Sequence, residues 1–308
     1  MTAPEQLVTD GGLETDLIFN HGIDLPDFAA FPLLGDERGR AVLTAYYEQY
    51  AAIAADVGAG MVLETPTWRA NPDWAARLGY DASALAAVNR DAVGFLRGLG
   101  KQWADRLPST RVSGQIGPRG DGYRPGAAVD PDEAAAYHRP QIAAFADAGA
   151  DVTTALTLTD VGEALGIVAA AKDVGLPVAI SFTVETDGRL PGGTTLAEAI
   201  GTVDAAGGPE YFLVNCAHPE HVERGLGEDG SWRERIHGLR VNASTMSHEE
   251  LDNSTELDAG DPVALDAAHR RLERSLPAVG IIGGCCGTDA RHVAALWRDR
   301  EVAAHARS

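Results

Sequence analysis

Short apolar runs rich in β-branched residues recur along the chain at residues 6–9, 60–65, 111–116, 152–156, 178–183, 211–214, 239–241 and 279–282. Each reads as a buried strand. Between them lie Ala-rich stretches with apolar positions at helical spacing, at residues 39–57, 83–107, 131–148, 160–174, 195–206, 219–225, 261–276 and 288–304. The pairs Asp130-Pro131 and Asp261-Pro262 place an Asp cap before a proline at the first helical position. The runs Ala148-Gly149-Ala150 and Val174-Gly175-Leu176-Pro177 supply stop signals. Eight strand and helix pairs, with no Pro/Gly-rich linker dividing them, predict a single (β/α)8 barrel domain over residues 1–308 rather than an open sheet.

Composition narrows the functional classes. At 308 residues and 45% apolar content the chain can bury a full core. Its 45 acidic against 25 basic residues give a net charge of −20, a field that repels nucleic-acid backbones and anionic lipid. Residues 1–9 lack a basic region followed by an apolar stretch, and no run approaches the roughly 18 apolar residues of a membrane span. The expectation is a soluble cytoplasmic protein. Three cysteines are an odd, low count, unlike a secreted disulfide framework.

The cysteines carry the candidate chemistry. Cys216 ends the sixth predicted strand, and Cys285 with Cys286 ends the eighth. Adjacent cysteines bridge each other only through a strained ring, so a disulfide between Cys285 and Cys286 explains them poorly. In a barrel of this kind the chemistry sits at the carboxyl ends of the strands, where Asp10, Glu64 and Thr65 also fall. Three thiolates converging there suit Zn2+ and leave a fourth tetrahedral position open. So sulfur-rich a site is a weak Lewis acid, better suited to binding a further thiol, which metal coordination deprotonates. The reaction implied is attack by sulfur on an activated carbon. The alternative is a redox-labile disulfide between the adjacent Cys285 and Cys286, making the chain a thiol sensor, or a protein that binds metal without catalysis.

Five stretches carry a resemblance to a known family: Asp10-Gly11-Gly12, Gly117-Pro118, Val214-Asn215-Cys216, Asn242, and Gly283-Gly284-Cys285-Cys286-Gly287. Across nearly its whole length the chain resembles the zinc-dependent homocysteine S-methyltransferases, a group that includes betaine- and S-methylmethionine-dependent enzymes. The resemblance implies a (β/α)8 barrel, one zinc on Cys216, Cys285 and Cys286, and methyl transfer from a small onium donor to a thiol. It also implies that Asp10 helps hold the amino-acid acceptor. The chain departs from the pattern at the end of strand four, where the family carries a glutamate that contacts the substrate amino group and this sequence has Leu156. After strand seven, Val241-Asn242-Ala243-Ser244 stands where the family has Pro-Asn.

Further candidates each have a plainer reading beside the functional one. Asp10 either contacts substrate or caps the turn at Gly11-Gly12. Glu64 could replace the missing strand-four carboxylate, or be a surface or capping group. Thr65, Trp68 and Arg69 follow strand two as candidate substrate-binding residues: Trp68 either faces an onium group or packs, and Arg69 either binds a substrate carboxylate or is a solvated loop residue. Asn215 and Asn242, at strand ends, could donate to metal-bound sulfur or substrate. His218 and His221 read as the start of a surface helix rather than as ligands. The acidic stretch 247–261 reads as a lid or as disorder. Partners are then a small thiol acceptor and an onium methyl donor, with nucleic acid and membrane excluded and a homo-oligomer left open.

Overall fold

The computed structural model describes residues 4–122, 128–300 and 302. Strands β1 (Leu7–Val8), β2 (Gly60–Glu64), β3 (Thr110–Ile116), β4 (Val152–Leu158), β5 (Val178–Phe182), β6 (Tyr211–Asn215), β7 (Ile236–Val241) and β8 (Ile281–Gly284) form a closed barrel in sequence order. Every pairing is parallel, and β1 closes the ring against β8 through Leu7 opposite Ile281. The (β/α)8 expectation therefore holds. Strand β4 runs on to Leu158 instead of stopping at Leu156, and its register against β5 shifts between Ala155 and Leu158. The eighth predicted helix is observed only as Ala290–Trp297, and its predicted residues 301 and 303–304 lie outside the described residues.

The caps anticipated from the sequence are made. Asp130 accepts from the amides of Asp132 and Glu133 at the start of helix Pro131–Asp147, and Asp261 accepts from Val263 at the start of Pro262–Glu273. Gly175 ends helix Val161–Val174 in the left-handed conformation, which costs a glycine little. Part of the stretch 247–261 is a short helix, His248–Asp252, closed by a capping box between Ser247 and Glu250. No helix among the described residues is long and apolar enough to cross a membrane.

Two apolar regions hold the barrel together. The larger fills the space between strands and helices and includes Leu63, Ile116, Phe145, Phe182, Phe212 and Trp297. The smaller, which includes Leu7, Val62, Val152, Tyr211 and Ile281, plugs the interior. Alternation along the strands carries the same inward face upward to polar residues: Glu64, Ser113, Thr154, Ser181, Asn215 and Arg240, all buried. Ser113 and Thr154 share a hydrogen bond of 2.7 Å, and Ser181 donates to Asn215 at 2.6 Å. This polar layer is the floor on which the candidate site rests.

Candidate active site

At the carboxyl end of the barrel the sulfurs of Cys216, Cys285 and Cys286 lie within 4.8 Å of one another. Cys216 follows β6 with φ +52, a left-handed conformation costly for a residue with a Cβ. Its backbone is held from both sides: its amide donates to the Arg240 carbonyl at 3.1 Å, and its carbonyl faces His248 Nε2 at 2.6 Å. His248 Nδ1 in turn lies 2.8 Å from Glu185 Oε1. Cys285 and Cys286 follow β8 in a turn packed tightly on the segment after β1. A Cβ on Gly12 would lie 2.5 Å from the Cys285 carbonyl oxygen, so only glycine permits that approach.

Cys216 and Cys285 are joined by a disulfide, with Cα atoms 5.3 Å apart, and Cys286 stands outside that bond. The redox alternative in the sequence had paired the adjacent cysteines. Closure of the barrel instead brings Cys216 over Cys285 at ordinary bridging distance, where no strained ring between neighbours is needed. Reduction of this bond leaves three thiols at one place. One pair already stands at metal-ligand spacing: Cys216 Sγ is 3.9 Å from Cys286 Sγ, close to the roughly 3.8 Å edge of a tetrahedron with Zn–S bonds of about 2.3 Å. Polar hydrogens face the sulfurs, from Thr157 Oγ1 to Cys216 and from Asn215 Nδ2 to Cys285, each at 3.8 Å.

A narrow cleft of about 40 Å3 opens beside the sulfurs, lined among others by Asp10, Glu14, Leu156, Thr157, Asn215 and Arg240. Above it lies a chamber of about 350 Å3 that shares Thr15, Phe28, Trp68 and Cys286 with the cleft. Its carboxylates are Asp121, Asp252, Glu256 and Asp258, against the single arginine Arg69. Residues of the helix His248–Asp252 form part of its wall.

The other sequence candidates fall into distinct places. Asp10 lines the cleft and is ion-paired to Arg240 at 2.7 Å. Glu64 is 3% exposed, so it is no surface carboxylate, and it lines neither cavity: it points into the barrel interior. Burial pushes its carboxyl up to about 7, against the opposing pull of Arg240. Thr65 is turned into the structure, accepting from the Gln115 amide at 2.8 Å and bonding Thr67 at 2.6 Å. Asn215 holds Thr157, itself at φ +63, by accepting from its amide and donating to its hydroxyl, both at 2.8 Å.

Trp68 lines both cavities, but the Arg69 guanidinium already lies 4.1 Å from a ring centroid of its indole. Arg69 is not solvated. It also stacks on Trp74, at 3.8 Å, and donates to the Gly120 carbonyl. Asn242 lines the chamber, where its buried Oδ1 has no hydrogen-bond partner among the described residues. His218 does begin a helix, capping Pro219–Gly225, yet it and His221 are 6% and 4% exposed and so are not surface residues.

Sequence reasoning missed Arg240, Glu14 and His248. Arg240 had a signal, a lone charge inside an apolar strand. Glu14 sits on a turn where an acidic residue normally signifies nothing, and burial pushes its carboxyl up to about 7.

The closed barrel and its sulfur cluster, set in a cleft at the carboxyl ends of the strands, define an α/β-barrel enzyme with a thiol centre. The family model for homocysteine S-methyltransferase matches residues 7–299, and the chain belongs to that methyltransferase family. It is 28% identical over 214 residues to the homocysteine S-methyltransferase YbgG of Bacillus subtilis (strain 168), covering 65% of this chain and 63% of that one, just under two thirds. It is 26% identical over 309 residues to a homocysteine S-methyltransferase of Escherichia coli (strain K12), covering 94% of each. Among solved structures, the homocysteine methyltransferase MmuM from Escherichia coli superposes in its metallated form with a TM-score of 0.73 at 22% identity, covering 95% of this chain and 96% of that one. Its oxidized form gives 0.74 at 21% identity, covering 94% of each.

Proposed function

We propose that this chain is a zinc-dependent S-methyltransferase that moves a methyl group from a small onium donor to a thiol, with homocysteine the leading acceptor. The observation that carries the reading is the convergence of Cys216, Cys285 and Cys286 beside a cleft with room for a further sulfur. Those three residues would hold the metal, which when bound lowers the pKa of an incoming thiol. A reducing cytoplasm suits this chemistry, since it keeps the cysteines available as thiolates.

The protein's own residues account for the remaining demands. Asn215 and Thr157 place N–H and O–H groups on the cysteine sulfurs, and Asn215 fixes the strained Thr157 at the irregularity within β4. The acceptor enters the cleft and releases its thiol proton to solvent. Its sulfur lone pair forms the new S–CH3 bond while the donor's C–S or C–N bonding pair leaves with a neutral thioether or amine. The acidic, aromatic-edged chamber above supplies a cation-favouring place for the donor, S-methylmethionine, S-adenosylmethionine or betaine, and holding both substrates in register accounts for much of the rate gain.

A different thiol is the second reading, favoured by Leu156, which puts a hydrocarbon wall where the family's glutamate would meet an amino group. The test is a methyl-transfer assay on the reduced chain, pairing the three donors with a panel of thiols. Product formation that disappears on chelation and in Cys286→Ser supports the reading. A metal-free chain whose activity survives Cys286→Ser would sink it.

A further inference from the structure

Two carboxylates line the cleft beside the cysteines, and they differ in what already holds them. Asp10 is already held by three donors: Arg240 pairs with it at 2.7 Å, the Tyr46 hydroxyl donates at 3.1 Å and the Thr9 hydroxyl at 3.2 Å. Glu14, on the short turn Leu13–Thr15, has no side-chain hydrogen bond or ion pair among the described residues. Its own backbone amide lies near it and favours the charged form, and Arg240 and Arg69 act on it only through space. Arg240 already gives its terminal nitrogens to Asp10, to the Thr9 hydroxyl at 2.7 Å and to the Gly11 carbonyl at 3.3 Å.

The rest of the polar lining is neutral. Thr157 and Asn215 are bonded to each other, and Leu156 offers only hydrocarbon. A molecule whose sulfur reaches the cysteines therefore meets one uncommitted carboxylate. Glu14 is only partly buried and faces the cleft, so a substrate cation that enters can pair with it in place of water.

We propose that Glu14 is the ammonium anchor of the thiol acceptor, so that the site selects thiols bearing a primary ammonium a few bonds from sulfur. This rests on the S-methyltransferase reading and deepens it. Glu14 does from the segment after β1 what a carboxylate at the position of Leu156 would do from β4. The Asp10–Arg240 pair is then a fixed wall of the cleft beside that anchor.

The experiment is calorimetric binding to the reduced, zinc-supplied chain of two probes, homocysteine and 4-mercaptobutyrate, which differ only in the amino group. Wild type should bind homocysteine at least about 10-fold tighter, the scale of one charge-assisted hydrogen bond. Glu14→Gln should bring that ratio close to one by weakening homocysteine alone, while Glu14→Asp, which keeps the charge, retains most of it. A wild-type ratio near one, a ratio unchanged in Glu14→Gln, or equal weakening of both thiols overturns the anchor. Methyl transfer from each donor, assayed in parallel, separates the two claims. The predicted ratios without any transfer defeat the transferase reading and leave the anchor standing; transfer with ratios indifferent to Glu14 does the reverse.

Discussion

Arg240 Nη2 donates to Asp10 Oδ1 at 2.7 Å, with both side chains 4% exposed. The pair joins β7 to the segment after β1 across the inside of the barrel, and Glu64 lies within electrostatic reach of the same guanidinium. Removing the cation strands two acidic groups in a medium that cannot solvate them. Arg240→Met should therefore destabilise the fold by about 3–5 kcal/mol, the usual cost of breaking one side of a buried pair. Urea unfolding at pH 7 measures this, and a loss below about 1 kcal/mol would show that Arg240 is not holding Asp10.

Glu64 gives the fold a pH dependence of definite sign. Its folded-state pKa is about 7, against an ordinary 4.5, because burial penalises the charged form more than Arg240 favours it. A carboxyl raised in this way contributes stability in full below about pH 4.5 and loses it as pH rises to about 7. The loss is on the order of 3 kcal/mol at about 1.4 kcal/mol per unit. Glu64→Gln cannot ionise, so the variant should gain on wild type between pH 5 and pH 8. Parallel unfolding curves at the two pH values decide it: an equal difference at both would mean that Glu64 does not titrate in this range.

Some of this was legible in the residues and some was not, for physical reasons. The barrel was readable because strands buried on both faces must be apolar and the helices between them amphipathic, so two periodicities alternate. The cysteines were readable because few roles place three thiols at two strand ends. Arg240 escaped because its meaning depends on Asp10, 230 positions away in the chain and paired only once the barrel closes. Glu64 was misplaced for a related reason. Standing at a strand end does not say whether a side chain points to the mouth or to the interior, and alternation sends this one inward beside Ser113 and Thr154. The partner of Cys285 was equally hidden, since Cys216 is 69 positions away but 5.3 Å distant at Cα.

The disulfide and the metal site compete for the same sulfurs. In the oxidised chain, denatured thiol titration should find one reactive thiol, Cys286, and after reduction three. Zinc should follow the thiols, at about one per chain after reduction and far less before it. Cys286→Ser should hold zinc at least about 100-fold more weakly while leaving the Cys216–Cys285 bond able to form. Metal analysis under reducing and oxidising conditions reads both, and equal zinc content in the two states would separate the metal from these cysteines.

His248 links the wall of the chamber to the sulfur cluster. Its ring spans from the Cys216 carbonyl, at 2.6 Å, to the Glu185 carboxylate, at 2.8 Å, while the Thr183 hydroxyl reaches the same carbonyl at 3.3 Å. Cys216 needs such support because its φ of +52 is intrinsically unfavourable, by about 1–3 kcal/mol. In His248→Ala the carbonyl loses its 2.6 Å partner while the longer bond from Thr183 stays, and the cysteine is freer to relax away from the geometry that brings its sulfur near Cys286. Partners that orient a metal ligand are typically worth about 10–100-fold in affinity, so the variant should bind zinc more weakly by that factor. Global stability should fall by no more than about 2 kcal/mol. Competition with a chromogenic chelator gives the affinity and urea unfolding the stability. Unchanged zinc affinity would reduce His248 to a packing residue of the helix it begins.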